Sequence, residues 1–345
     1  MGRIDPTRSA ATPPSGHGRP PLLLPSLFAT AVIFGLASIV VGPAHIDLWD
    51  LIAAIAGKGD PIVRAILLEL RLPRAILGLL VGAMLGTGGA ALQGYLRNPL
   101  AEPAVLGVSS MAALGAVIAI YFKLADAHPG LVPLFAIAGA IAALVPLLRL
   151  SRKGESPLTL ILAGVALATL AGAGISLALN LSPNPFAAME ITTWLLGSLE
   201  DRSFKDVLIA LPCVAIGIGL LLGQGRALDA LSLGEDGARS LGTDLGRVRL
   251  MLLAGIAIGV GGAVAVSGAI GFVGLVVPHL VRRFTDRSPS TVLLPSALAG
   301  AILLSASDIA VRLIPTGTPL KLGVLTAFLG VPIFIHHLLR ERRLW

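Results

Sequence analysis

Six histidines, a single cysteine and a sparse set of acids are the residues from which this chain could build an active centre. A metal site of hydrolytic type takes imidazoles at helical spacing, such as a pair at i and i+4. His17, His45 and His128 fall in a tail and two loops, and His279 follows Pro278 near the end of an apolar run. His336 and His337 are adjacent, so on a helix they point in different directions. The pattern predicts no metal and no cofactor. A nucleophile needs a base beside it. Ser267, in Val-Ser-Gly-Ala, and His279 could be recruited for an intramembrane hydrolase, but their spacing fixes no geometry. No G-x-x-x-x-G-K-[ST] loop is present, and Gly57-Lys58-Gly59 lacks the rest of that motif, so ATP hydrolysis by that route is excluded.

Ion-driven carriers usually keep ionisable residues within the bilayer. Here the apolar runs hold almost none. Asp308 and Arg312 lie late in one run, four residues apart, and can pair on one helix face. Glu190 and Glu200 fall in a connection. This sparsity implies that energy comes from a partner; a secondary transporter without an ATPase is the alternative.

The elements that position these residues follow from composition. Of 345 residues, 55% are hydrophobic and 13% charged, and the mean hydropathy is +0.89. Soluble chains carry about twice that charge fraction. At about 20 residues per crossing, the length accommodates roughly ten crossings. The class is all-α, a polytopic membrane protein. Candidate spans are 22–42, 73–96, 104–122, 131–149, 158–180, 207–223, 249–265, 268–284, 292–313 and 320–339. Residues 1–20 form a flexible Pro/Gly/Ser-rich tail, and residues 21–345 a single membrane domain. Residues 43–72 are a connection with an amphipathic stretch, Leu48–Ile55, and a turn at Asp60-Pro61. The piece 181–206 contains a short helix around Trp194. The piece 224–248 is the most polar interior stretch. Cys213 lies in an apolar run and says nothing about redox compartment.

With the N-terminus inside and ten spans, 17 of the 26 Lys and Arg residues lie inside and 9 outside. This bias predicts that both termini are cytoplasmic. The basic residues are scattered between apolar runs and aromatics are 4%, so the net charge of +7 implies contact with membrane lipid and not with nucleic acid. At an offset of 180 residues Gly82 meets Gly262, Ala83 meets Ala263, Gly88 meets Gly268, Gly94 meets Gly274 and Leu100 meets Leu280. The two segments are five spans apart, so they run in opposite directions, as in the inverted repeats of transporters. Gly78, Gly82 and Gly86, like Gly255 and Gly259, have the spacing that lets helix backbones approach closely in lipid.

Residues 71–116 read RLPRAILGLLVGAMLGTGGAALQGYLRNPLAEPAVLGVSSMAALGA. This stretch resembles the FecCD family of ABC-importer permeases, with its GxxLxxxGxxxQxxxRNPLAxPxxLGxxxGA pattern. Gln93, Asn98, Pro99 and Gly107 are motif positions. Met111 stands where the family usually has glycine, and Gly88-Gly89 replace a commoner Ser-Gly. Leu233-Gly234-Glu235 with Ala238-Arg239-Ser240-Leu241-Gly242 is a second match. Ser267 to Arg282, with Gly268, Gly271, Gly274, Pro278 and His279, is a third, and Gly323 to Phe334 a fourth. The resemblance covers roughly residues 22–340.

The resemblance implies a cobalamin-permease-like fold of ten transmembrane helices in the bacterial inner membrane. It implies a homodimer or a pair of permeases, cytoplasmic ATP-binding subunits and a periplasmic substrate-binding protein. The substrate it implies is an iron–siderophore or related metal chelate, with cobalamin or haem as alternatives. Residues 227–244, within a loop of about 225–248, match the family's coupling loop. Leu233, Gly234, Glu235, Ala238, Arg239, Leu241 and Gly242 are thereby expected to couple to the ATPase. Arg71 and Arg74, and Arg312 after Asp308, are expected at the periplasmic mouth, where they would dock the binding protein. Snorkelling to lipid or pairing with Asp308 are the alternatives. Polarity marks Thr169, Ser176 and Asn180 as candidate lining of the translocation path, and Gly154–Thr159 matches the gate region by position.

Overall fold

The computed structural model describes residues 22–42, 46–151, 157–315, 317 and 319–341. The expected tail, His17, His45 and residues 154–156 of the gate segment lie outside the described residues. The first apolar run forms α1 (Leu23–Val40), and the amphipathic stretch forms α2 (Leu48–Ile55). At the Asp60-Pro61 turn the Asp60 carboxylate caps α3 (Pro61–Ala65) by accepting the Ile62 N–H at 2.8 Å. α3 continues through a π-helical segment, Ile66–Arg71, into α4 (Leu72–Tyr95). The expected connection 43–72 is therefore helical from residue 61. Pro73 lacks the N–H that an unbroken α-helix would use, and the widened turn before it absorbs that loss. The combined helix has 35 residues, about 52 Å at ~1.5 Å each, and exceeds a hydrocarbon core of about 30 Å.

The chain continues through α5 (Val108–Tyr121), α6 (Leu124–Ala127), α7 (Leu131–Ser151), α8 (Pro157–Asn180) and α9 (Pro185–Leu195), the short helix expected around Trp194. Then follow α10 (Phe204–Leu222), α11 (Gly225–Leu231), α12 (Glu235–Ser240), α13 (Leu245–Ser267), α14 (Val273–Val281), α15 (Pro289–Leu313) and α16 (Leu322–Glu341). Among the described residues, α1, α4, α5, α7, α8, α10, α13, α14, α15 and α16 occupy the ten expected spans. Seven apolar helices are long enough to cross a membrane, and α5 and α14 are shorter. In the expected span 268–284 only Val273–Val281 is α-helical, because Gly268 (φ 69°, ψ −168°) and Phe272 (φ 67°, left-handed) hold positive-φ conformations that stop a helix.

α4 and α13 form the centre and run antiparallel: Tyr95, at the end of α4, meets Arg249 near the start of α13, while Met84 lies against Gly259. Glycines set the inter-helix distances. A β-carbon on Gly82 would collide with the Gly300 carbonyl of α15, and one on Gly86 with the Ser296 carbonyl. On the other side a β-carbon on Gly217 of α10 would lie 2.6 Å from Gly259, and one on Gly261 2.6 Å from Ala140 of α7. The pairing pattern repeats. α4 packs on α1 and α15 as α13 packs on α10 and α7, and α5 contacts α7 and α8 as α14 contacts α15 and α16. At α4 and α13 this agrees with the offset relating Gly82 to Gly262, whereas Gly94 and Gly274 fall on α4 and α14, which are not counterparts in the repeat.

The short lengths of α5 and α14 have a common cause. After α4 ends, the chain turns back alongside it, and Pro103 lies 3.3 Å from a β-carbon built on Gly88. The start of α14 reaches the same level, where Gly274 abuts Gly89 and Leu85. The turn that leads into α5 and the start of α14 therefore meet α4 at one level, about 10 Å before its end at ~1.5 Å per residue. Glu102 and Phe272, one from each re-entrant segment, line the same cavity.

Replacing Gly86 or Gly300 by Val should force α4 and α15 apart and cost at least about 1–3 kcal/mol, the usual range for overpacking. Gly219→Ala, at a position with open space around it, should leave stability unchanged. Thermal unfolding in detergent measures the difference.

Candidate functional site

The polar stretch 224–248 folds into a compact projection at the end of the bundle where α4 finishes. In α11, Leu228 and Leu231 are buried, and Gly225 brings the helix so close to α15 that a β-carbon would lie 3.1 Å from Ser290. Gly234 (φ 97°, ψ 164°) adopts a backbone that side chains disfavour and makes the turn into α12. Ala238 is buried and anchors α12, whereas Leu233 and Leu241 are 71% and 66% exposed. Glu235 and Arg239 pair at 3.4 Å along the helix, Gly242 (φ 80°) ends it, and Asp244 caps α13 through the Arg247 N–H at 3.1 Å. The expected coupling residues thus share one element, with Ala238 turned inward. Sequence reasoning missed Asp229, Tyr95 and Arg249. Asp229 accepts the Ser290 N–H at 2.8 Å, and Arg249 donates to the Tyr95 hydroxyl at 2.8 Å. An acid between Leu228 and Leu231 was the only local signal for the first.

At the opposite end two of the three expected docking arginines, Arg71 and Arg312, bond the C-terminus of α1, and Arg74 joins them through Asp308. Arg71 donates to the Ile39 and Val40 carbonyls at 3.1 and 2.8 Å. Arg312 donates to the Ser38 and Val41 carbonyls at 2.8 and 2.7 Å. These carbonyls have no partner within the helix, and cations favour that end of its dipole. Asp308 accepts from Arg312 at 2.6 Å and from Arg74 at 2.8 and 3.0 Å. The side chains of Asp308 and Arg312 are 1% and 5% exposed, against 18% for Arg74. Arg71 and Arg312 are thus turned into the protein, and the pairing of Arg312 with Asp308, an alternative in the sequence, is present. Arg74 also borders a cavity of about 210 Å³ shared with Ser198 and Glu200. Glu200 pairs with Lys321 at 2.9 Å. Nearby, burial pushes the Arg202 guanidinium below its ordinary value, an effect opposed by Asp206 and Asp201.

Between the two ends lie the motif residues. Gln93 donates to the Gly274 and Leu275 carbonyls, each at 3.3 Å, and so ties α4 to α14. Asn98 accepts the Leu100 N–H at 2.9 Å and closes the turn that contains Pro99. Gly107 (φ 71°) lets the start of α5 approach the Gly164 carbonyl of α8, and Gly268 abuts the Trp194 carbonyl. Pro278 is buried in α14, Gly271 has open space around it, and His279 is half-buried in the last turn of α14. Ser267 donates to the Ala263 and Gly268 carbonyls at 2.9 and 3.1 Å, so its hydroxyl serves the backbone and not His279. Thr169, Ser176 and Asn180 lie on an exposed face of α8. Beside it a cavity of about 300 Å³ is lined by Glu102, Ser109, Ser110, Gly172 and Phe272.

Arg312→Ala should destabilise the protein by about 3–5 kcal/mol, because it leaves Asp308 short of a partner in a buried setting. Arg71→Ala removes the bonds to the Ile39 and Val40 carbonyls and should cost about 1–3 kcal/mol. Unfolding midpoints of the two variants, compared with wild type, check the order.

The FecCD transport family model matches residues 30–340. The cobalamin import system permease BtuC of Halobacterium salinarum is 42% identical over 276 residues, covering 79% of this chain and 73% of that protein. The hemin transport system permease HmuU of Yersinia pestis is 36% identical over 339 residues, covering 95% and 98%. A solved structure, described as an inward-facing conformation of a metal-chelate type ABC transporter, superposes with a TM-score of 0.82 at 30% identity, covering 91% of this chain and 97% of that one. The chain belongs to the FecCD transport family, as a multi-pass ABC permease that is a transport subunit and not an enzyme.

Proposed function

We propose that this chain forms the membrane path of an importer that carries an iron–siderophore or related metal chelate into a bacterial cell across the inner membrane. It works as a homodimer or beside a second permease, with both termini and the α11–α12 projection on the cytoplasmic side. There Leu233, Gly234, Glu235, Arg239, Leu241 and Gly242 meet a separate ATPase, while Ala238 anchors the contact from within. The observation that carries this reading is the projection itself. Two short helices are fastened to the bundle by buried Leu228, Leu231 and Ala238, yet they present Leu233 and Leu241 to solvent. Exposed leucines on a firmly held polar element are suited to a partner.

The binding protein lands on the end that carries Arg74, the most exposed of the three arginines in that cluster. Arg71 and Arg312 act there by holding the shape of the surface. The exposed face of α8 with Thr169, Ser176 and Asn180 borders the substrate path between the paired permeases. The family motif residues Gln93, Asn98, Pro99, Gly107, Gly268, Gly271, Gly274, Pro278 and His279 serve packing.

The test is uptake by proteoliposomes holding the permease, its ATPase and its binding protein, supplied in turn with labelled ferric siderophore, haem and cobalamin. ATP-dependent uptake of the siderophore is expected. Uptake of haem or cobalamin alone replaces the substrate assignment, and gradient-driven uptake by the chain without ATPase overturns the reading.

Gly234→Trp should leave membrane insertion intact but reduce ATP-driven uptake at least tenfold, because a side chain is strained by about 1–3 kcal/mol in that conformation and holds α12 off its partner. Uptake and ATPase stimulation, measured in the same vesicles, check it. Arg74→Glu should weaken binding-protein affinity. The wild-type affinity should fall as salt rises, since exposed charges are screened over ~10 Å at 0.1 M.

A further inference from the structure

α15 begins with Pro289, and the N–H of Ser290, in its first turn, needs an acceptor from outside the helix. Its N-cap residue, Ser288, does not satisfy that donor: the Ser288 hydroxyl bonds to Asp286 and Thr291 instead. The Ser290 N–H is taken by the Asp229 carboxylate at 2.8 Å, from a helix 61 residues earlier in the chain. A carboxylate at a helix N-terminus is favoured both by the hydrogen bond and by the dipole. The surrounding contacts are tight. A β-carbon on Gly225 would lie 3.1 Å from the Ser290 side chain, and one on Gly94 3.1 Å from Pro289. α11 is thus docked onto the first turn of α15 and the last turn of α4.

α15 then spans the whole bundle. Along its length it meets α4 backbone to backbone at Gly82 and Gly86. In its last turns it carries Asp308 and Arg312, which hold Arg74 and the end of α1. One helix therefore connects the projection that carries Gly234 and Leu241 with the arginine cluster at the far end.

We propose that Asp229 is the joint through which displacement of the α11–α12 projection is passed to α15, and so to the opposite end of the bundle. This inference rests on the assignment of that projection as the ATPase contact. Asp229 is a positioning residue: it touches neither nucleotide nor substrate, and acts by making α11 and the start of α15 move together.

The experiment compares wild type, Asp229→Ala, Asp229→Asn and Asp229→Ser, each assembled with ATPase and binding protein in proteoliposomes. It measures retention of the ATPase on purification, ATP hydrolysis without binding protein, stimulation by loaded binding protein, and siderophore uptake per ATP. Loss of a cap shifts a two-state balance by roughly fivefold. Asp229→Ala should therefore keep the ATPase bound and hydrolysing but lose about fivefold in stimulation and in uptake per ATP. Asp229→Asn, whose amide oxygen still accepts the Ser290 N–H, should keep most of both. Asp229→Ser, too short to reach the donor, should behave as Ala does and stands in if Ala does not assemble. Unchanged stimulation and uptake per ATP in the Ala or Ser variant, whatever its unfolding temperature, overturns the proposal. So does an Asn variant as defective as Ala. A wild-type complex that neither retains an ATPase nor takes up substrate with ATP instead overturns the functional assignment, and the joint with it.

Discussion

The carbonyls at the end of α1 have to find donors, and two arginines from other helices supply them. α1 buries little besides Ala31, Gly35 and Ser38, so apolar packing alone does not hold it. Between helices in lipid there is no hydrophobic drive, and polar contacts and close packing decide association. Arg71 and Arg312 therefore act as a clasp on four successive carbonyl-bearing residues, Ser38 to Val41. The clasp needs its own counter-charge. Asp308 supplies that counter-charge directly to Arg74 and Arg312. The partial negative charge at the end of α1, about half a unit, adds to it. Each group in the cluster is thus satisfied only while the others stay in place.

The same ion cluster sits where α4 and α15 meet, and these two helices approach as closely as their backbones allow. Gly82 and Gly86 face Gly300 and the Ser296 carbonyl with no room for a β-carbon. Dispersion between main chains then replaces the side-chain interdigitation of a soluble core. α13 repeats the arrangement against α7 and α10, using Gly261, Gly262 and Gly259. The two halves therefore use one packing solution twice, in opposite directions, around a common centre.

Closeness at the centre leaves room for the two re-entrant segments. Pro103 and Gly274 both lie against the glycine-rich surface of α4, at Gly88 and Gly89. Irregular backbone within a membrane protein survives where protein surrounds it and supplies its hydrogen bonds. Here the Gln93 amide donates to the Gly274 and Leu275 carbonyls. Two half-length helices result, α5 and α14, reached from one level of α4 and leading in opposite directions beside an open cavity next to α8.

Local pattern was enough to determine much of this. Apolar runs marked ten helices, the amphipathic stretch Leu48–Ile55 was found to the residue, and the helix around Trp194 and the polar projection at 224–248 were placed. Family membership was legible in residues 71–116, where Gln93 ties α4 to α14 and Gly107 lets α5 approach α8. The helical course of residues 61–71 was not legible, since Asp60-Pro61 reads as a turn and Pro73 as a boundary, and it is packing on α1 and α2, with the Arg71 bonds to the end of α1, that holds the π-helical segment between them. The inward aim of Arg71 and Arg312 was also decided by tertiary structure: their partners lie 32 and 274 residues away, at the end of α1. The same holds for Asp229, whose partner is 61 residues on. Helix period and hydropathy are set by neighbours within a turn or two, and the sequence alone determined those. Which charge faces the interior depends on where distant helix ends leave unpaired carbonyls and N–H groups, and only the assembled bundle decides that.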